Sequence, residues 1–226
     1  MKYEAVIFDL FGTLIPNMSV SEHRVVLTRM AEVLSAPPDD FVKLWFETFN
    51  ERSTGVFRSP DANIAYICRT LGVSVDETDV KRAARIRFNY SIQSMVPRSD
   101  AIETLSHLKY EACKTGLISD CSAEVPVIWK DTPFAKLVDV AIFSCLVGMK
   151  KPDLRIYRLA TEQLNVEPQD CLYIADGIGR ELSVASQIGM HAVQILVPGE
   201  DEYEPYREEW NGPVISSLTE VLILIE

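Results

Sequence analysis

The chain has 226 residues, 47% hydrophobic and 24% charged, with a formal net charge of −11. The acidic balance argues against a nucleic-acid partner, because a phosphate backbone recruits a basic face. No run approaches the roughly 18 apolar residues of a membrane span, and five scattered cysteines without a CxxC pair suit a reducing, cytoplasmic setting. Met1-Lys2 leads straight into an apolar run, so no signal peptide is expected.

Ala5-Val6-Ile7-Phe8 is a short continuous apolar run that ends at Asp9, with Gly12 and Thr13 as turn residues. Such a run reads as a strand buried on both faces. Asp9 then stands where the strand leaves the sheet, at the edge where open α/β sheets bind ligands. An ionised carboxylate there is costly unless a metal ion, a lysine or backbone N–H groups compensate it.

From Ile15 to Val96 the periodicity is helical. Ser19-x-x-Glu22 is a capping box before Leu27, Met30, Ala31 and Leu34. Phe41, Leu44 and Trp45 mark a second helix, and Arg52–Arg58 is expected to be a loop. Pro60 opens a third helix, with Ile64, Ile67, Cys68 and Leu71 on one stripe and Gly72 as its stop. Val80, Ala84, Phe88, Ile92 and Met95 form the fourth stripe, ended by Pro97. Four amphipathic helices in succession predict a small bundle.

Beyond Arg98 the pattern alternates. Helices are expected around Ile102–Leu108, after Ser122, after Pro152-Asp153, over Arg180–Ile188 and after Ser217-x-x-Glu220. Strands are expected over Thr115–Ile118, Val138–Phe143, Cys171–Ala175 and Ala192–Val197, with a last short one at Val214–Ser216. Pro198–Pro213 reads as a polar acidic loop. This alternation predicts an α/β fold, a doubly wound, mostly parallel, Rossmann-like sheet. The helical stretch interrupts it, giving a core of 1–14 and 97–226 and an inserted unit of 15–96.

Asp9, Ser119 and Asp176 each follow or end a strand, and Lys151 lies in a loop before a helix. A parallel sheet brings all four to one edge. DLFGTL, the LIS ending at Ser119, GMKKPDLRIY and YIADGIGRELSVASQIGM resemble, in order, the four motifs of the haloacid dehalogenase superfamily. The helical insert resembles that family's cap.

The resemblance implies a hydrolase in which Asp9 attacks and forms an aspartyl ester. Mg²⁺ would be held by Asp9, the carbonyl of Phe11 and Asp176, with Glu181 joining through water or a neighbouring group. Ser119 and Lys151 would stabilise the transferring group. Gly12, Thr13, Asp120 and a loop arginine, Arg58 or Arg52, are the expected substrate contacts. The substrate expected is a small phosphorylated molecule, turned over by a monomer or homodimer.

One position departs from the pattern. The family's phosphatases carry a second Asp two residues after the nucleophile as general acid, and this chain has Phe11 there. Phenylalanine cannot transfer a proton, and the family's dehalogenases are aromatic at that place. The acids Asp176 and Glu181 pull toward the metal-binding phosphatases, since carboxylates beside Asp9 repel without a cation. The alternatives are a dehalogenase-type enzyme and a catalytically weak, regulatory protein.

Overall fold

The computed structural model describes residues 2–200 and 206–226. Met1 and residues 201–205 of the expected acidic loop lie outside them.

In chain order the elements are β1 (Ala5–Phe8), α1 (Val20–Val33), α2 (Pro38–Glu47), α3 (Phe49–Ser53), α4 (Pro60–Thr70), α5 (Glu77–Ser94), α6 (Ala101–Tyr110) and β2 (Lys114–Ser119). Then come α7 (Glu124–Trp129), β3 (Val140–Phe143), α8 (Ser144–Val147), α9 (Leu154–Leu164) and β4 (Cys171–Ala175). The chain closes with α10 (Glu181–Gln187), β5 (His191–Ile195), β6 (Val214–Ile215) and α11 (Glu220–Leu224).

The six strands form one sheet in the order β3-β2-β1-β4-β5-β6. Every neighbouring pair is parallel. β1 is central and all four of its residues are fully buried. Its side chains alternate between two cores, as strand geometry requires. Val6 and Phe8 join the cluster covered by α6, α7 and α11, while Ala5 and Ile7 join the one covered by α9 and α10. Helices thus cover both faces, and the α/β, doubly wound reading holds.

Helices α1, α2, α4 and α5 enclose a third apolar cluster, centred on Leu27, Met30, Trp45, Ile64 and Ile67. The local signals work here: Ser19 Oγ accepts from the Glu22 N–H at 3.5 Å and Ser59 Oγ from the Ala62 N–H at 3.2 Å. Three details differ from the sequence reading. Arg52 belongs to α3, not to a loop; Thr48 ends α2, and the chain turns directly into another helical segment. On α5 the buried face includes Ala83, Arg87 and Ser91, while Ile92 is 48% exposed. The face is set by a charged partner on α7, not by the apolar stripe alone. Ser122 also caps nothing; α7 begins after Ala123 without a side-chain cap.

Candidate active site

The end of β1 is held tightly against its neighbours. The Asp9 N–H donates to the Ile174 carbonyl at 2.9 Å, so the carboxylate emerges beside the end of β4, where Asp176 follows. The turn after Asp9 needs Gly12. Its φ is +80°, and a Cβ there would lie 2.3 Å from Asp176 Oδ2. No other residue type fits both constraints. Asn17 Nδ2 donates to the same oxygen at 2.8 Å, and the Ile178 N–H donates to Asp176 Oδ1 at 3.1 Å.

Arg98, which the sequence reading passed over, fastens the place where the chain leaves and re-enters the core. Its guanidinium donates to the carbonyls of Thr13 at 2.8 Å and Gly12 at 3.0 Å. It also forms a two-point pair with Glu200 at 2.6 and 2.7 Å.

Lys151 sits in the middle of the acids. Its ammonium donates to Asp9 Oδ1 and to Glu181 Oε2, and its backbone N–H donates to Asp120 Oδ1 at 3.0 Å. Glu181 also receives the Tyr173 hydroxyl at 2.9 Å and the Gly177 N–H at 3.1 Å. All of Asp9, Lys151, Asp176 and Glu181 are buried.

One ammonium against three carboxylates leaves the cluster short of positive charge. Burial raises Asp9 to about 7, a rise that Lys151 opposes and Glu181 reinforces. Burial raises Glu181 to about 7 as well, opposed by Lys151 and reinforced by Asp176. Asp176 and Asp120 are raised by burial too. Burial works against the charge on Lys151, but Asp9, Glu181 and Asp120 together hold it well above the ordinary lysine value.

Asp9, Phe11, Asp120, Lys151, Asp176 and Glu181 line one cavity of about 360 Å³. Gly12, Thr13 and Ser119 stand behind this lining. The hydroxyls of Thr13 and Ser119 are buried, and no hydrogen bond reaches either among the described residues. Arg58 is exposed and lies outside the cavity. It follows the turn at Thr54–Phe57, whereas Arg52, on α3, is buried and lines the cavity.

The helical segment contributes more than Arg52. Arg87 and His23 also line the cavity, and neither stood out in the sequence. Arg87 Nε donates to Glu124 Oε1 of α7 at 3.0 Å, in a pair whose side chains are 6% and 2% exposed. The guanidinium carbons of Arg52 and Arg87 lie 4.4 and 5.7 Å from the Trp45 ring. Arg52 Nη1 donates to the Trp45 carbonyl and, at 2.9 Å, to Thr48 Oγ1. Burial, then Arg87, lowers Arg52 to about 9. Burial, with Arg87 and Arg52, lowers His23 to about 3, so its ring is neutral.

Ligand atoms of Asp9, Asp176 and Glu181 lie within 4.8 Å of one another. These are hard oxygen donors carrying excess negative charge, and the set fits a divalent cation such as Mg²⁺. The carboxylate of Asp9 is a suitable nucleophile for a phosphoryl or carbon centre, and Lys151 can balance charge on the group transferred.

Comparison with known proteins agrees with the fold. A model of the haloacid dehalogenase-like hydrolases matches residues 3–189. The chain belongs to that family of hydrolases. The "Rhythmically expressed gene 2 protein" of Drosophila melanogaster is 31% identical over 106 residues, covering 44% of this chain and 41% of the relative. The chain thus spans under half of that relative's length.

Longer matches fall on both sides of the family. An (S)-2-haloacid dehalogenase of Pseudomonas fluorescens is 25% identical over 82% of this chain and 81% of its own. A glyceraldehyde 3-phosphate phosphatase of Methanopyrus kandleri is 23% identical over 91% and 89%. In three dimensions the chain is similar to a haloacid dehalogenase family enzyme of Bacteroides thetaiotaomicron, solved in complex with magnesium and inorganic phosphate. The TM-score is 0.66 at 17% identity, over 92% of this chain and 98% of that one.

Proposed function

We propose that the protein is a Mg²⁺-dependent phosphatase that hydrolyses a small phosphomonoester through an aspartyl-phosphate on Asp9. The observation that carries this reading is the buried trio Asp9, Asp176 and Glu181, with Lys151 as the one ammonium among them. A dehalogenation site needs one ionised carboxylate, whereas three together call for a cation. The ion would be held by Asp9, Asp176 and the Phe11 carbonyl, with Glu181 steadying Lys151 and the surrounding shell. When bound, it neutralises the phosphoryl oxygens and holds Asp9 ionised at neutral pH.

Asp9 attacks phosphorus, and the P–O bond to the leaving group breaks as the O–P bond to Asp9 forms. Lys151 and the unpartnered Ser119 hydroxyl supply donors to the phosphoryl oxygens. Water then attacks phosphorus and passes its proton to Asp120, and the P–O bond to Asp9 breaks, freeing Asp9 and inorganic phosphate. Phe11 cannot protonate the leaving group. Asp120, on the cavity wall and raised by burial, takes that place. Residues 15–96 act as a lid, hinged near Ile15-Pro16 and Val96-Pro97.

The test is turnover of a phosphomonoester panel with Mg²⁺ and with EDTA. Activity that survives EDTA rejects the metal assignment. General acid catalysis is typically worth about 10²–10⁴-fold. Aryl phosphates should therefore turn over far faster than alkyl phosphates, and Phe11→Asp should narrow that gap.

Phe11 favours a second reading, 2-haloacid dehalogenation, because a halide leaves without a proton. Metal-free halide release from a 2-halo acid, with no phosphatase activity, would establish it.

A further inference from the structure

The cavity is polarised. Of the charged side chains that line it, the helical segment supplies two cations, Arg52 and Arg87, and no acid. The core supplies Asp9, Asp120, Asp176 and Glu181 with Lys150 and Lys151. The core side has its internal ammonium and its cation-fitting trio. The helical side has no such partner inside the cavity.

We propose that Arg52 and Arg87 form a carboxylate-binding subsite, so that the substrate is a small phosphorylated carboxylic acid. This rests on the phosphatase reading above and adds the second anionic group.

Three observations carry it. Arg52 and Arg87 are each 5% exposed as whole residues, so their charge is poorly hydrated. A buried cation without a counter-charge is costly, and a ligand carboxylate would supply that counter-charge. Arg87 has Glu124, which itself stands behind the cavity lining, and Arg52 forms no salt bridge among the described residues. Glu51, its neighbour in sequence, lies outside the lining and acts on Arg52 less than Glu124 does.

The count of charges selects the ligand group. No carboxylate on the helical side lines the cavity; behind the lining Glu124 pairs with Arg87 and Glu51 acts more weakly on Arg52, so at most one positive charge is left. His23 adds none, because burial and the arginines hold it neutral. Lys150, half-buried at the rim, is open to solvent screening. One excess charge matches a carboxylate better than a phosphate dianion. Guanidinium N–H groups also match a carboxylate in geometry.

Phe11, Phe49, Met18 and Val125 supply apolar lining in the same cavity. A short hydrocarbon spacer between the phosphoryl and carboxyl groups suits that surface.

The experiment compares phosphooxyacetate, phosphooxypropionate and phosphooxybutyrate with their carboxamides, and with p-nitrophenyl phosphate, under Mg²⁺. A charge-assisted pair is typically worth about 1.5–3 kcal/mol, or roughly 10- to 150-fold. The expected result is that at least one acid exceeds its amide in kcat/KM by about 10-fold or more. Arg52→Gln should bring the acid-to-amide ratio in kcat/KM toward one, mainly through a rise in the KM of the acid.

Binding gives an independent readout. On the Asp9→Asn variant, calorimetric titration should show the favoured acid binding about 10-fold more tightly than its amide. Turnover of p-nitrophenyl phosphate together with equal acid and amide constants overturns the carboxylate subsite and leaves the phosphatase reading standing. No turnover of any ester, p-nitrophenyl phosphate included, overturns both. An acid preference that survives Arg52→Gln overturns the assignment to this arginine pair.

Discussion

The two sides of the cavity solve the same problem in opposite ways. On the core side, buried carboxylates from the ends of β1 and β4 and the start of α10 surround Lys151. On the helical side, buried guanidiniums from α3 and α5 stack near Trp45, and one of them pairs with Glu124. One side is left negative and the other positive. A buried charge that lacks a counter-charge raises the energy of the folded chain. Each side is therefore tuned to something that arrives from outside, a cation for one and an anion for the other.

The largest effect should come from removing the nucleophile. Asp9→Asn keeps the shape, removes the charge and should lower kcat by at least ~10³-fold, because a covalent pathway is lost. The variant should still fold, since burial already penalises the Asp9 charge. A near-normal rate would reduce Asp9 to a turn residue and leave the core side without a chemical role.

Breaking the central pair on each side sharpens the contrast. Removing one partner from a buried ion pair typically costs about 3–5 kcal/mol. Lys151→Met and Glu124→Gln should each lose stability on that scale in chemical denaturation. They should differ in rescue: Mg²⁺ should restore part of the loss in Lys151→Met and none in Glu124→Gln. Equal rescue would mean that the ion does not distinguish the two sides.

Gly12→Ala should cost roughly 1–3 kcal/mol, from a strained backbone and a contact forced against Asp176. It should also lower turnover, because the displaced carboxylate is a predicted metal ligand. A neutral substitution would show that the turn tolerates movement the site does not feel.

The smallest effect is a difference in sign with pH, measured on metal-free protein. Asp9 and Glu181 stand near 7 when folded, against ordinary values of 3.8 and 4.5. Between those limits the folded chain binds more protons than the unfolded one. Their contribution is therefore greatest at low pH and is lost as pH rises toward 7. His23 stands near 3 against an ordinary 6.5, so it acts oppositely and costs stability as pH falls below about 6.5. Each proton contributes at most about 1.4 kcal/mol per pH unit. From pH 7 to 5, His23→Gln should steepen the gain in denaturation free energy and Glu181→Gln should flatten it. A reversed pair of effects would contradict the charge balance on both sides.

The sequence by itself determined the core side. Ala5–Phe8, Lys114–Ser119 and Cys171–Ala175 form neighbouring parallel strands. Chain direction alone therefore brings Asp9, Ser119 and Asp176 to one edge, because parallel strands end together. Lys151, from the loop before α9, reaches the same edge. Only the tertiary structure decided the helical side. Arg87 and Glu124 are 37 positions apart, and Arg87 and His23 are 64. Helical periodicity marks apolar positions, so it reads α5 through Phe88 and Ile92 and passes over Arg87 and Ser91. A charged residue joins a buried face only when a partner on another element meets it there. Such a partner, Glu124 on α7, is chosen by packing between elements, which local sequence does not encode.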